Sequence, residues 1–316
     1  MPARLLVVVK SGGAAAMPEW RAAFAHALPE AEVRMWGDPE IVPAAVTHAL
    51  VWEPEAGALA RFPNLRLVIS TGAGVDHVLA DPDYPRHVPL ARMILPETRD
   101  GMAEYVGMAA LMLMRDMRTI ARQQAEHHWR IPPEMPLARR TRVGVMGLGA
   151  LGLHAARYLA TLGFQTSGWS RSAKTIEGVT TYHGMGQLPG FLAQCDIVVN
   201  LLPQTADTVG LLDRARLSLL PRGASLLNAG RAAHVVTADL LALLDEGHLH
   251  TAMLDVFDIE PLPQDSALWS HPSVVVTPHC ASTPSRTDRA HRAAALIQLA
   301  EAGAPIPDLY EAARGY

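Results

Sequence analysis

The stretch Val143-Gly144-Val145-Met146-Gly147-Leu148-Gly149-Ala150-Leu151-Gly152 constrains this chain more than any other. A short hydrophobic run enters Gly-x-Gly-x-x-Gly and passes into an amphipathic stretch, the pattern of a strand, a tight turn and a helix. Gly147 permits the turn, Gly149 lets the backbone approach a pyrophosphate, and Gly152 lets helix and strand pack closely. The start of the helix then offers unpaired N–H donors and a partial positive charge to phosphates. A glycine-rich turn without a ligand is the alternative, but the strand before and the helix after favour a dinucleotide. The end of the following strand, Gln165–Trp169, indicates which one. An NAD site usually carries Asp or Glu there, about 20 residues on. Here Ser170-Arg171-Ser172 follows, with Lys174 close behind and no carboxylate before Glu177. A guanidinium and hydroxyls bind a 2′-phosphate that a carboxylate would repel. NADP(H) is therefore the preferred cofactor, with NAD(H) also admissible. The bland alternative is that Arg171 and Lys174 belong to a solvated loop.

Short aliphatic runs alternate with Ala/Leu-rich stretches along the chain, as expected of parallel sheets covered by helices. Strands are expected at Leu5–Val9, Ala49–Trp52, Arg66–Ile69 and around Val88–Ala91, with helices at Glu19–Ala27 and Ala56–Phe62. One long helix is expected from Gly101 to Trp129, stopped by Pro132, Pro133 and Pro136. A second series has strands at Val143–Met146, Gln165–Trp169, Ile197–Asn200, Ser225–Asn228, Thr251–Leu254 and Val274–Val276. Its helices are expected at Leu151–Leu162, Arg214–Leu220 and Ala238–Glu246, the last capped by Thr237. A final helix is expected to start at Thr283-Pro284, with proline at the first helical position, and to run to about Ala302.

The chain has 316 residues, which suits two domains, and its 49% apolar and 18% charged composition excludes disorder as the main state. A net charge of −4 without a long basic run argues against nucleic acid as a partner. The longest apolar runs are strand-length, far below the ~20 residues that span a bilayer, so no membrane association is expected. Arg4, a five-residue apolar stretch and Lys10 make too short a core for a signal peptide, which points to the cytoplasm. Cys195 and Cys280 are isolated, so neither a disulfide framework nor a metal cluster is expected.

Three strand ends carry reactive side chains. Asn228-Ala229-Gly230-Arg231 puts an arginine just past a buried strand, Asp255-Val256-Phe257-Asp258-Ile259-Glu260-Pro261 places a carboxylate before a proline, and Val274-Val275-Val276-Thr277-Pro278-His279 ends in a histidine. Ligands of open α/β sheets sit beyond the carboxyl ends of strands, where all three would lie. Singly, Arg231 could pair with a surface acid, Glu260 could be a solvated turn residue, and His279 could be a hydrogen-bonded loop residue. Beside a nicotinamide they form a coherent set. Hydride addition to a carbonyl carbon leaves negative charge on oxygen, which needs a cation and a proton donor. Arginine supplies the first and histidine the second, and a carboxylate next to the histidine favours imidazolium.

The chain resembles the D-isomer-specific 2-hydroxyacid dehydrogenase family, and within it the glyoxylate/hydroxypyruvate reductase A branch. The similarity runs over nearly the whole chain: Leu50-Val51-Trp52, Ser70-Thr71-Gly72-Ala73-Gly74-Val75-Asp76, the glycine turn, Trp169-Ser170-Arg171-Ser172, Asn200-Leu201-Leu202-Pro203, Ala252-Met253-Leu254-Asp255-Val256-Phe257, Glu260-Pro261-Leu262-Pro263, Thr277-Pro278-His279 and Ala313-Arg314-Gly315-Tyr316. The order and spacing of Arg231, Glu260 and His279 match as well. Two departures are small: Ala232 stands after Arg231 where the family has glycine, and Cys280 after His279 where it has isoleucine.

The resemblance implies an α/β fold of two doubly wound parallel-sheet (Rossmann-like and flavodoxin-like) domains with an active cleft between them. Residues 1–98 with 285–316 would form the substrate domain, and 99–284 the dinucleotide-binding domain. His279 would be the acid/base, Glu260 its orienting partner, and Arg231 the group that polarises the keto oxygen and holds the carboxylate. Ala73, Gly74 and Val75 would bind the substrate carboxylate, and Trp52 would line the pocket or be a core aromatic. Gly147, Gly149, Ala150, Leu151, Gly152, Trp169, Ser170, Arg171, Ser172, Lys174, Leu202, Pro203, Thr208 and Ala229 would contact the cofactor. Asp255 would bind the nicotinamide carboxamide, or be a satisfied strand-end aspartate. The activity implied is NADPH-dependent reduction of glyoxylate and hydroxypyruvate. Reduction of bulkier 2-keto acids such as phenylpyruvate, or a silent NADP(H)-sensing role, stand as alternatives. A homodimer is implied too, with the Met102–Met114 face (Met108, Leu111, Met112) as a partner surface or as intramolecular packing.

Overall fold

A computed structural model describes residues 5–132 and 134–315. Arg4, Pro133 and Tyr316, which enter the expectations above, lie outside the described residues. The chain forms two compact units, Met1–Pro96 with Pro284–Tyr316, and Glu97–Thr283.

In the first unit the elements run β1 (Leu5–Lys10), α1 (Gly13–Ala27), β2 (Ala31–Met35), β3 (His48–Val51), β4 (Leu67–Ser70), α2 (Asp76–Leu79) and β5 (Leu90–Ala91). The strands form a parallel sheet in the order β2-β1-β3-β4-β5. Val7 and Val9 of β1 pack with Trp20 and Phe24 of α1, while Leu6 and Val8 pack with Val51, Leu59 and Val78 on the opposite face. Such continuous apolar strands are what a parallel sheet buried on both faces requires.

The second unit contains α3 (Pro96–Met114), α4 (Met117–Ala125), β6 (Arg142–Met146), α5 (Ala150–Thr161), β7 (Gln165–Ser170), β8 (Thr180–His183), α6 (Gly184–Leu192), β9 (Ile197–Asn200), α7 (Arg214–Leu217), β10 (Ala224–Asn228), α8 (Thr237–Asp245), β11 (Leu249–Leu254) and β12 (Val274–Val276). Its parallel sheet has the order β12-β11-β10-β9-β6-β7-β8. The strand order reverses beside β6, so the turn after β6 lies at the topological switch point. The chain then returns to the first unit with α9 (Arg286–Glu301), whose Ala290, Ala293 and Ile297 join the α1 side of that core.

Several local expectations need correction. The long helix is two helices, α3 and α4, separated at Asp116, whose φ of 51° breaks the helical path. The second ends at Ala125, ahead of Pro132, so the prolines are not its stop. The stretch Ala56–Phe62 holds only a short 3₁₀ turn, Leu59–Arg61, after Gly57 at φ 70°. Thr237 lies inside α8, whose N-cap position is Val236 with no side-chain cap. The final helix is capped by Ser285, whose hydroxyl accepts from the Asp288 N–H at 3.1 Å, leaving Thr283 and Pro284 outside it. Met102 and Leu113 of α3 are buried and Met112 half-buried, while Met108 and Leu111 are exposed. Among the described residues no helix is long and apolar enough to cross a membrane.

Candidate active site

The glycine turn comes first because β6 delivers it to the switch point. The Gly147 N–H donates to the Trp169 carbonyl at 2.8 Å, and its φ of 93° is one that glycine adopts without strain. A Cβ on Gly147 would lie 2.7 Å from the Leu201 carbonyl oxygen, and one on Gly152 only 1.8 Å from the Gly147 carbonyl oxygen. A Cβ on Gly149 would meet nothing within 4 Å. Gly147 and Gly152 are therefore demanded by packing, whereas Gly149 faces open space that a side chain would fill. The first intrahelical bond of α5 runs from the Leu153 N–H to the Gly149 carbonyl at 3.0 Å. The N–H groups of Ala150, Leu151 and Gly152 thus precede the helical ladder, as an anion-binding helix start requires. These residues fit a pyrophosphate.

The end of β7 and the segment after it border the same turn. Trp169 is 4% exposed, and its indole N–H donates to the Gly184 carbonyl at 2.8 Å, so the ring supports the strand end from inside. Ser170 is buried, with its hydroxyl on the Ser172 carbonyl at 2.9 Å. Arg171 and Ser172 are exposed. The Lys174 ammonium donates to the Leu148 carbonyl at 2.5 Å, which ties this segment to the glycine turn. After β9, the Thr208 hydroxyl donates to the Pro203 carbonyl and accepts from the Thr205 N–H, both at 2.8 Å, closing the loop that carries Leu202 and Pro203.

The three reactive side chains come from the ends of β10, β11 and β12. His279 Nδ1 lies 2.6 Å from Glu260 Oε2, and Glu260 Oε1 accepts from the Phe257 N–H at 2.9 Å. The side chains are 34% and 29% exposed, so the pair is half-shielded from water. The hydrogen bond to Glu260 raises the His279 pKa above its ordinary 6.5, against the effects of burial and of Arg231. Burial pushes Glu260 upward, but the hydrogen bonds from His279 and Phe257 and the charges of His279 and Arg231 prevail, leaving it below 4.5. Nδ1 is therefore the donor to a carboxylate, with Nε2 as the ring's other nitrogen. Arg231 acts electrostatically on both members of the pair, and its Nη1 donates to the Gly230 carbonyl at 2.8 Å. Ala229 is nearly buried, with its N–H on the Asn200 carbonyl at 3.2 Å.

Asp255 is 1% exposed and its carboxylate is heavily engaged. Oδ1 accepts from the Thr277 hydroxyl at 2.6 Å and the Cys280 N–H at 2.9 Å, and Oδ2 accepts from the Ala281 N–H at 2.9 Å. These bonds make Asp255 the holder of the segment on either side of His279. The Thr277 hydroxyl also meets the Tyr105 hydroxyl of α3 at 2.7 Å. Tyr105 escaped the sequence reading because it looks like one more core position of an apolar helix.

In the first unit, Trp52 follows β3 and packs against His77 with the rings tilted by 39° and their centroids 4.3 Å apart. A Cβ on Gly72 would lie 2.8 Å from Trp52 Cζ3, so Gly72 makes room for that ring. The loop of Ala73, Gly74 and Val75 is braced by the Ser70 hydroxyl, which donates to the Gly74 carbonyl at 2.8 Å and accepts from the Gly72 N–H at 3.2 Å.

The family model for the D-isomer specific 2-hydroxyacid dehydrogenase NAD binding domain matches residues 107–281. The chain belongs to the D-isomer-specific 2-hydroxyacid dehydrogenase family. This dehydrogenase is similar to the D-isomer specific 2-hydroxyacid dehydrogenase of Xanthobacter autotrophicus Py2 in complex with NADPH and MES, at 43% identity over 99% of this chain and 100% of that one, with a TM-score of 0.92. It is also similar to the NADPH-dependent glyoxylate/hydroxypyruvate reductase of Sinorhizobium meliloti in complex with NADP and sulfate, at 39% identity over 99% and 100% of the chains and a TM-score of 0.90. A probable 2-hydroxyacid dehydrogenase of Rhizobium etli CFN 42, in complex with NADP, HEPES and L(+)-tartaric acid, is 34% identical over 99% of each chain, with a TM-score of 0.88. The two doubly wound sheets of this dehydrogenase are those of an oxidoreductase family.

Proposed function

We propose that this dehydrogenase reduces small 2-keto acids with NADPH, converting glyoxylate to glycolate and hydroxypyruvate to D-glycerate. The observation that carries the reading is the 2.6 Å contact between His279 and Glu260 with Arg231 acting on both. The Sinorhizobium reductase, similar over almost all of both chains, supports the substrate class. For the cofactor, Gly147, Gly149, Ala150, Leu151 and Gly152 would hold the pyrophosphate, with Ser170, Arg171, Ser172 and Lys174 at the 2′-phosphate. Leu202, Pro203, Thr208 and Ala229 would flank the nicotinamide half. When bound, the nicotinamide supplies the hydride that reduces the carbonyl carbon.

The chain's own residues do the rest. His279 carries the reacting proton on Nε2 and gives it to the carbonyl oxygen as negative charge develops there. Glu260, bonded to Nδ1, orients the ring and favours its protonated form. Arg231 offsets charge on the same oxygen, a preorganised electrostatic role. Ala73, Gly74 and Val75 would take the substrate carboxylate, and Trp52 would limit the bulk accepted beyond it. Met108 and Leu111 offer an apolar surface for a homodimer, which light scattering checks.

A spectrophotometric screen of 2-keto acids with NADPH and NADH in parallel tests the reading. Glyoxylate and hydroxypyruvate should be turned over, with NADPH preferred. A kcat/KM favouring phenylpyruvate would replace the substrate class. NADPH binding without turnover of any 2-keto acid would leave a cofactor-sensing protein.

A further inference from the structure

Behind Arg231 lies a buried polar cluster with no part in proton or hydride transfer. Asn200 ends β9, Asn228 ends β10, and His234 closes the 3₁₀ turn Ala232–His234 that follows Arg231. Asn200 and His234 are 0% exposed and Asn228 is 1% exposed. Main-chain partners fix the direction of every hydrogen bond in this cluster. Asn228 Oδ1 accepts from the Gly230 N–H at 3.2 Å, and its Nδ2 donates to the Arg231 carbonyl at 3.0 Å. The group that Asn200 presents to Asn228 Oδ1 at 2.9 Å is therefore its NH₂, while its Oδ1 accepts from the Leu202 N–H at 3.3 Å. That same NH₂ lies 2.9 Å from His234 Nδ1. Both amide hydrogens of Asn200 are thus assigned, Nδ1 of His234 is an acceptor, and its ring proton sits on Nε2.

The cluster has little slack. A Cβ on Gly230 would lie 3.2 Å from both Nδ2 and the carbonyl oxygen of Asn200. The His234 backbone is pinned in turn: its carbonyl accepts from the Leu212 N–H at 2.8 Å, and the Ala233 carbonyl accepts from the Gly210 N–H at 2.7 Å. A buried amide hydrogen without an acceptor is strongly avoided. Removing the acceptor at Nδ1 would leave one Asn200 amide hydrogen unpaired. Turning the amide would set its NH₂ against the Leu202 N–H and its oxygen against Asn228 Oδ1. The relief would therefore come from a shift of the Ala232–His234 turn and of the contacts that Asn228 makes with Gly230 and Arg231.

We propose that His234 is a positioning residue for Arg231, acting through the paired amides of Asn200 and Asn228. The proposal rests on the reading of Arg231 as the guanidinium that meets the keto oxygen. A displacement of about 1 Å in such a group costs on the order of a hundredfold in rate.

The test is steady-state kinetics with glyoxylate and NADPH, with NADPH affinity measured by fluorescence on every protein. His234→Leu should lower kcat/KM for glyoxylate by about 10- to 100-fold with NADPH affinity held within about twofold. His234→Asn, which puts a carbonyl oxygen near the place of Nδ1, should recover most of it. In an Arg231→Ala background, His234→Leu should cost nothing further, because the group it aims is gone. If the leucine variant does not fold, His234→Asn and His234→Gln carry the same contrast, since glutamine moves the acceptor toward the place of Nε2. Equal activity in those two, an undiminished loss in the Arg231→Ala background, or a parallel loss of NADPH affinity would overturn the proposal. A wild-type protein that binds NADPH but turns over no 2-keto acid would fail the functional reading itself, and the proposal with it.

Discussion

Two left-handed turns at the ends of strands in one sheet show how differently a backbone can be held. Gly147, after β6, sits at φ 93°, and His279, after β12, at φ 50°. The first needs only the absence of a side chain, since any Cβ there would strike the Leu201 carbonyl. The second must keep its side chain, and a non-glycine residue in this region is strained by about 1–3 kcal/mol. Asp255 accepts from the two N–H groups that follow His279. Bonds to a carboxylate contribute about 1.5–3 kcal/mol each, so two of them outweigh the strain. A turn that makes room for a ligand is written in glycines. The turn that presents the proposed proton donor is held by a buried partner distant in sequence.

The largest effect is expected from His279→Gln, which keeps polarity and bulk but carries no ring proton. The kcat for glyoxylate should fall by about 10²- to 10⁴-fold while NADPH affinity holds. Near-wild-type turnover would remove His279 from the chemistry. The glycine turn should respond in the opposite sense. Gly152→Ala places a methyl 1.8 Å from the Gly147 carbonyl oxygen, so the turn must shift, at about 1–3 kcal/mol. NADPH Kd should rise by roughly tenfold or more, with kcat at saturating NADPH largely kept. An unchanged Kd would mean that the turn does not hold the cofactor.

A smaller effect concerns pH. With His279 as the proposed proton donor and its pKa raised, kcat/KM should be steady at low pH and fall as pH passes a point above 6.5. Glu260→Gln should move that fall to lower pH, and a profile unmoved by this change would separate Glu260 from His279. The same shifts act on stability with opposite signs. The contribution of His279 is full below 6.5 and is lost as pH rises through its raised value. That of Glu260 is present above 4.5 and is lost as pH falls through its lowered one.

Much of the second unit was legible because its strands are covered on both faces and read as unbroken apolar runs. Ile197–Asn200 and Val274–Val276 have the expected bounds. The edge strands β2 and β8 were not visible: Ala31–Met35 buries only Val33, and Thr180–His183 buries nothing fully. α6 was hidden by Pro189 and its three glycines. The helix break at Asp116 has no glycine or proline to announce it, and α4 buries none of its residues.

From the sequence alone came the kinds of group available and the ends of strands on which they stand, because a glycine pattern and a hydrophobic period are local properties. Folding decided which of them meet. That Glu260 Oε2 touches His279 Nδ1, that Asp255 spends its carboxylate on the backbone beside His279, and that His234 closes an amide network under Arg231 all depend on strands far apart in the chain lying side by side. Hydrogen bonds act over about 3 Å, a distance that only the tertiary arrangement of the sheet can set.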